Sequence, residues 1–182
     1  QKNVVVYDNV AEKLTGTIDC AGNGAWVVVH HRQNNTFYSF HVTAAGVNTT
    51  PVVSNYSENS IDHTAGYIKI SPDKSKIAIV SHNANSFLGL FDFNAATGDI
   101  NNYQRIGTPA GNDKLYGLSF SPDNSKLYVV GRTVIGSTTY QSAIFQFEAN
   151  LGTAVAIRNS AVVFPVRLPV SFVSAAQLGP DG

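Results

Sequence analysis

Apolar and polar residues alternate with period two through most of this chain, and the pattern restarts. In Gly66–Ile70, Ile68 and Ile70 fall on one face and Tyr67 and Lys69 on the other. In Gly117–Phe120, Leu118 and Phe120 oppose Gly117 and Ser119. This is a strand pattern, because successive side chains of a strand point to opposite faces of the sheet. Each of these strands ends in a turn signal, Ser71-Pro72-Asp73 and Ser121-Pro122-Asp123. A second apolar run follows at Lys76–Val80 and Lys126–Gly131, and a third at Leu88–Phe93 and Ala143–Phe147. The two copies lie about fifty residues apart, which points to a repeat architecture. Nowhere do apolar residues recur at helical spacing over two or more turns, so no helix is expected.

The N-terminal third contains the same unit without the Ser-Pro-Asp turn. Val4–Tyr7 is β-branched and suits a strand, and Asp8–Lys13 reads as a connection. Leu14–Ile18, Ala25–His31, Phe37–Val42 and Pro51–Ser54 are the four strands of this unit. The near-continuous apolar run AWVVVHH suits a strand covered on both faces. Phe40 and Val42 correspond to Phe91 and Phe93, and to Phe145 and Phe147. The later units find fourth strands at Asn102–Ile106 and roughly Ala154–Asn159. Phe164–Pro169 holds two prolines and reads as edge or loop. Phe172–Leu178 runs into Gly179-Pro180-Asp181, which resembles the start of a further unit.

A single four-stranded meander cannot bury both of its faces. Radial stacking of such sheets solves this, and the result is a β-propeller. The expected fold is therefore all-β, a propeller of four-stranded antiparallel blades. The blades are expected at 14–62, 63–113 and 114–170, with 171–182 beginning the next and 1–13 a strand of the preceding or closing blade. Complete propellers use about four to eight blades, so a fragment is expected. A sandwich would not explain why the turn restarts.

The motifs GYIKISPDKSKIAIV and YGLSFSPDNSKLYVV resemble the repeats of YVTN-type, lactonase-like bacterial propellers. The order EKLTG, AWVVVHH, FYSFHVTAAGV, GYIKISPD, LFDFNAATG, YGLSFSPD is similar to the N-terminal propellers of large secreted or cell-surface proteins of gliding-type bacteria. The resemblance covers nearly the whole chain. It departs from the pattern at Lys74 and Asn124, which stand where glycine usually follows the aspartate. It implies a seven-bladed parent, a secreted or surface location, and remaining blades supplied by the same parent chain or by a dimer partner.

Charged residues make up 13% of the chain, with 12 Lys plus Arg against 12 Asp plus Glu. There is no basic field to hold a nucleic acid backbone, and no apolar run near the ~18 residues a membrane span needs. Cys20 is alone, which excludes an intrachain disulfide and suggests a small buried apolar residue.

Chain direction places the Ser-Pro-Asp turns on one face of a propeller. The connections between blades, and the loops after each second strand, fall on the other. That second face gathers Glu58, Asp62, His63, Asp113 and Lys114, together with His30, His31, His82 and Arg132. Imidazoles suit zinc, copper or nickel and can act as general bases near neutral pH. The plainer reading is that polar residues fill loops, and His30 and His31 must point to opposite faces of a strand. No HExxH, GxSxG or phosphate-loop motif occurs, so no catalytic residue, metal ligand or cofactor is assigned. Asp73 and Asp123 read as turn formers. Trp26 reads as packing between sheets, with a carbohydrate platform as the sharper alternative. The function expected is a non-enzymatic binding or scaffold module for a protein or carbohydrate ligand. The alternative is a lactonase-like or other hydrolase with a polar or metal site at the propeller axis, marked by His63 and His82 converging with a carboxylate on an ion.

Overall fold

The computed structural model describes residues 4–59, 63–82, 86–109, 113–135, 139–166 and 175–177. They form three antiparallel sheets. The first contains β1 (Val10–Ile18), β2 (Gly24–His31), β3 (Thr36–Thr43), the short β4 (Gly46–Val47) and β5 (Val52–Asn55), which pairs with β3. The second runs β6 (Gly66–Ile70), β7 (Lys76–Ser81), β8 (Phe87–Phe93), β9 (Ile100–Arg105). The third runs β10 (Lys114–Phe120), β11 (Lys126–Ile135), β12 (Thr139–Glu148), β13 (Val162–Pro165), with the helix α1 (Ala154–Asn159) between its last two strands. The first strands of the sheets neighbour one another, β1 against β6 and β6 against β10. These are three successive blades of a β-propeller, blades 1, 2 and 3.

Two seams hold them together. Alternate residues of β7 and β8 face opposite ways. Ile77, Ile79, Phe87 and Phe91 meet Trp26, Val28 and Phe37 of blade 1. Ala78, Val80, Leu88 and Leu90 meet Leu115, Leu118, Phe120 and Phe145 of blade 3. Phe91 thus faces the preceding blade, and so does Phe145. Phe40, their counterpart, lines an outward apolar cleft with Val27, Val29 and Val42.

The Ser-Pro-Asp hairpins are built alike. Ser71 Oγ donates to Asp73 Oδ1 at 2.6 Å and accepts from the Lys76 N–H at 2.9 Å. Ser121, Asp123 and Lys126 repeat this at 2.6 and 2.9 Å. Lys74 and Asn124 occupy the left-handed region, at φ 64° and 62°. The backbone shape expected of glycine is therefore kept where the residue is not. Asp73 N–H also donates to Asn124 Oδ1 at 3.0 Å, tying one hairpin to the next.

Several expectations need correction. Ala154–Asn159 is a helix and not a strand. Thr153 caps it, accepting from the Ala156 N–H at 3.2 Å, and Ile157 buries into the second seam. The fourth strand of blade 3 is β13 instead, an edge strand on which Pro165 leaves no ladder bond missing on the inner side. β1 starts at Val10, inside the stretch expected to be a connection. Ala11, Lys13 and Thr15 alternate inward there, and Lys13 is buried by donating its ammonium to the His63 carbonyl. Val4–Tyr7 is not a strand; Tyr7 lies against Tyr38 with ring centroids 4.3 Å apart. Cys20 is exposed, not buried. Most of Phe172–Leu178 lies outside the described residues.

Candidate functional site

The seam between blades 1 and 2 ends, on the side away from the Ser-Pro-Asp hairpins, in a buried polar cluster. His30 stands near the end of β2 and faces blade 2, fully buried. Its Nδ1 lies 2.6 Å from the His31 carbonyl and its Nε2 lies 3.0 Å from the Tyr56 hydroxyl. A carbonyl can only accept, so Nδ1 carries the proton and Nε2 accepts from Tyr56. Burial holds the His30 pKa well below the usual histidine value, and the nearby His63 and Lys13 push it the same way.

His63 enters from the connection before β6 and is also fully buried. Its ring centroid is 4.5 Å from that of His30, and its Nε2 lies 2.7 Å from Asn35 Oδ1. Asn35 Nδ2 donates to the Glu58 carbonyl at 2.6 Å. The Glu58 carboxylate accepts from the Tyr103 hydroxyl and from Arg105 of β9. Burial pushes Glu58 up, but these bonds outweigh it and the net shift is downward. The phenols of Tyr56 and Tyr103 are pushed up, chiefly by burial.

The rim residues read from the sequence do not form one site. His30 and His63 meet in the first seam. His31 points the other way, toward Tyr38, and its Nδ1 accepts the Gln33 N–H at 3.0 Å. His82 belongs to the second seam, its Nδ1 2.8 Å from the Leu115 carbonyl and its ring against Tyr116. Asp113 is buried before β10, and Arg132 lies over the Tyr140 ring. Asp62 falls outside the described residues. His63 and His82 thus occupy different seams. Among the described residues no three His, Cys, Asp or Glu side chains form a group able to hold a metal ion. Trp26 is buried, its indole N–H donating to the Ala95 carbonyl at 2.9 Å, so it offers no open platform.

Sequence reasoning missed Lys13, Asn35, Tyr56, Tyr103 and Arg105. The one usable signal was Tyr103 and Arg105, two apart and so on one face of a strand. Toward the axis it also missed a clamp. Glu12 Oε1 accepts from the Tyr116 hydroxyl at 2.6 Å and from the Gly66 N–H at 3.1 Å, joining the inner strands of all three blades. That bond, with burial, pushes the Tyr116 phenol up to about 12.

No family model matches the chain, and no curated protein matches its sequence. Solved structures do. Hydrazine synthase of Kuenenia stuttgartiensis superposes with a TM-score of 0.50 at 15% identity, over 83% of this chain and 41% of that one. A protein of Bacteroides fragilis described as a 6-phosphogluconolactonase superposes with a TM-score of 0.50 at 13% identity, over 88% of this chain and 38% of that one. The chain thus spans about two fifths of the length of each. Both are of β-propeller type, and the likeness at this identity is one of fold: three consecutive propeller blades.

Proposed function

We propose that this chain is a non-enzymatic binding and scaffold module of the β-propeller class, belonging to a secreted or cell-surface bacterial protein. The observation that carries this reading is the use to which the rim histidines are put. His30 and His63 are fully buried, and their ring nitrogens bond to Tyr56, Asn35 and the His31 carbonyl. They join two blades and are closed off from solvent. A general base must reach the proton it removes, and His30 is held neutral and enclosed. The low share of charged residues, 13%, supports an extracellular setting.

The test is lactone hydrolysis, since a lactonase-like enzyme is the rival reading. Glucono-δ-lactone is followed by pH-stat with the chain and with the His63→Gln and His82→Gln variants. The expected rate equals that of buffer in every case. Turnover by the unaltered chain that falls in either variant would overturn the proposal.

A further inference from the structure

At the outer margin of the first seam, β5 and β9 diverge and leave a cleft of about 290 Å³. It is pinned at both ends. At one, Ser54 Oγ accepts the Ile100 N–H at 3.0 Å. At the other, Glu58 binds Tyr103 and Arg105. The cleft lies between two bridges, and the connection after β5 that supplies Tyr56 and Ser57 is tied to β9 through Glu58.

Its lining combines two chemistries. Tyr56, Phe91 and Tyr103 line it with a cluster of rings, each pair of centroids 4.9 Å apart. The two phenols turn their hydroxyls away from the cleft chemistry, to His30 and to Glu58. What remains for a ligand is ring surface. Polar groups then line the same space. Thr36 bonds only the Asn55 carbonyl oxygen, at 2.7 Å, which leaves an amide N–H₂. Asp92 takes only the Asn102 amide nitrogen, at 2.9 Å, which leaves a carbonyl. Asn101 and Ser57 line the cleft as well. No Lys, Arg, Asp or Glu does.

Aromatic ring surface favours a ligand with a flat C–H face, while paired amide donors and acceptors favour hydroxyl groups. Among the described lining residues none is charged, and Arg105 at one end is already paired with Glu58, which disfavours a phosphate or carboxylate. The volume lies below the ~300–1,000 Å³ typical of sites for drug-sized ligands, which suits one ring and not a long chain. We propose that this cleft between β5 and β9 binds a neutral saccharide, one pyranose unit seated against Tyr56 and Tyr103 and held by Asn55 and Asn101. The inference rests on the binding-module reading above and names its ligand class.

The experiment is saturation-transfer NMR on the intact chain with methyl β-glucoside, methyl β-galactoside, methyl α-mannoside and N-acetylglucosamine at millimolar concentration. Two variants accompany it. Asn101→Ala alters an exposed position of β9 and keeps the seam; Val155→Ala alters an exposed position of α1 in blade 3, outside the cleft. Transfer from at least one sugar is expected, weakened about three- to ten-fold by Asn101→Ala, the loss of one hydrogen bond, and unchanged by Val155→Ala. Binding that Asn101→Ala leaves intact would place the sugar elsewhere, overturning this cleft while sparing the binding-module reading. No transfer from any of the four sugars would overturn the saccharide inference alone, because lactone hydrolysis decides the module reading independently.

Discussion

The two seams flanking blade 2 are made from the same repeat and hold together differently. The second has a long aliphatic and aromatic body, with Ala78, Val80, Leu88 and Leu90 set against Leu115, Leu118, Leu127 and Phe145, and holds its polar contacts, His82 and Ser86 on the Leu115 backbone, at one end. The first has an apolar floor of Ile68, Ile77, Ile79 and Phe91, but ends in His30, His63, Asn35, Tyr56 and Glu58. Apolar burial is non-directional and scales with area. The hydrogen bonds of the first seam are directional, and each group left unpaired there would cost free energy. The lesson is that one propeller scaffold tolerates two kinds of cement. The polar cluster of the first seam ties stability to the protonation of His30.

The comparison can be broken by truncating the apolar seam first. Phe145 is fully buried in it, and Phe145→Ala is expected to cost about 3–5 kcal/mol in urea denaturation, the usual range for a core aromatic. That loss should be the same at about pH 5.5 and about pH 7.5, on either side of the ordinary histidine value. A pH-dependent loss would mean the seams are coupled and the contrast is wrong.

Glu58→Gln tests the polar seam. Its carboxylate side chain is 5% exposed while Arg105 is 45% exposed, so Arg105 can recover water. The expected loss is about 1–2 kcal/mol by the same measurement. A neutral result would make the Glu58, Tyr103 and Arg105 bonds ornamental.

The smallest effect is the most diagnostic. Burial depresses the His30 pKa in the folded state, so between that value and about 6.5 the unfolded chain binds a proton the folded chain does not. Stability is then fully present above about pH 6.5 and falls as pH drops below it, by at most about 1.4 kcal/mol per pH unit for one proton. The groups facing His30 are His63, Tyr56 and the Lys13 ammonium. His63 and Lys13 both push the His30 pKa down, which deepens the trend. His30→Asn retains a donor for the His31 carbonyl and should flatten the thermal-melting profile across this range. An unchanged slope would assign the acid sensitivity to another group.

The repeat, the hairpins and the alternating faces of β6 to β8 could be read from the chain because they rest on local pattern. Phe91 and Phe145 were matched by position alone, and each does face the preceding blade. α1 escaped because six residues make under two turns, too short for a helical period to show; only Thr153 before it marks a cap. Lys13 escaped because a lysine among polar residues reads as loop, and its burial depends on a carbonyl fifty residues away. The polar cluster escaped for the same reason. Asn35 meets His63 and Glu58 meets Tyr103 only once two blades have docked. Chain direction assigns the rim residues to one side of the blades but does not say which seam a side chain enters. His30 and His63 therefore came together while His82 stayed apart.

Blade 2 is clasped on both faces, and this has a consequence in time. Among the described residues, blades 1 and 3 each share one seam, and that seam is with blade 2. The backbone of Ile77–Val80, fully buried at every position, opens only after both neighbours have let go. Its amide hydrogens should be the last to exchange with deuterated solvent, slower than those of β5 and β13 at the margins. The middle of the molecule thus acts as its clock, and the order in which the strands exchange records the order in which the propeller comes apart.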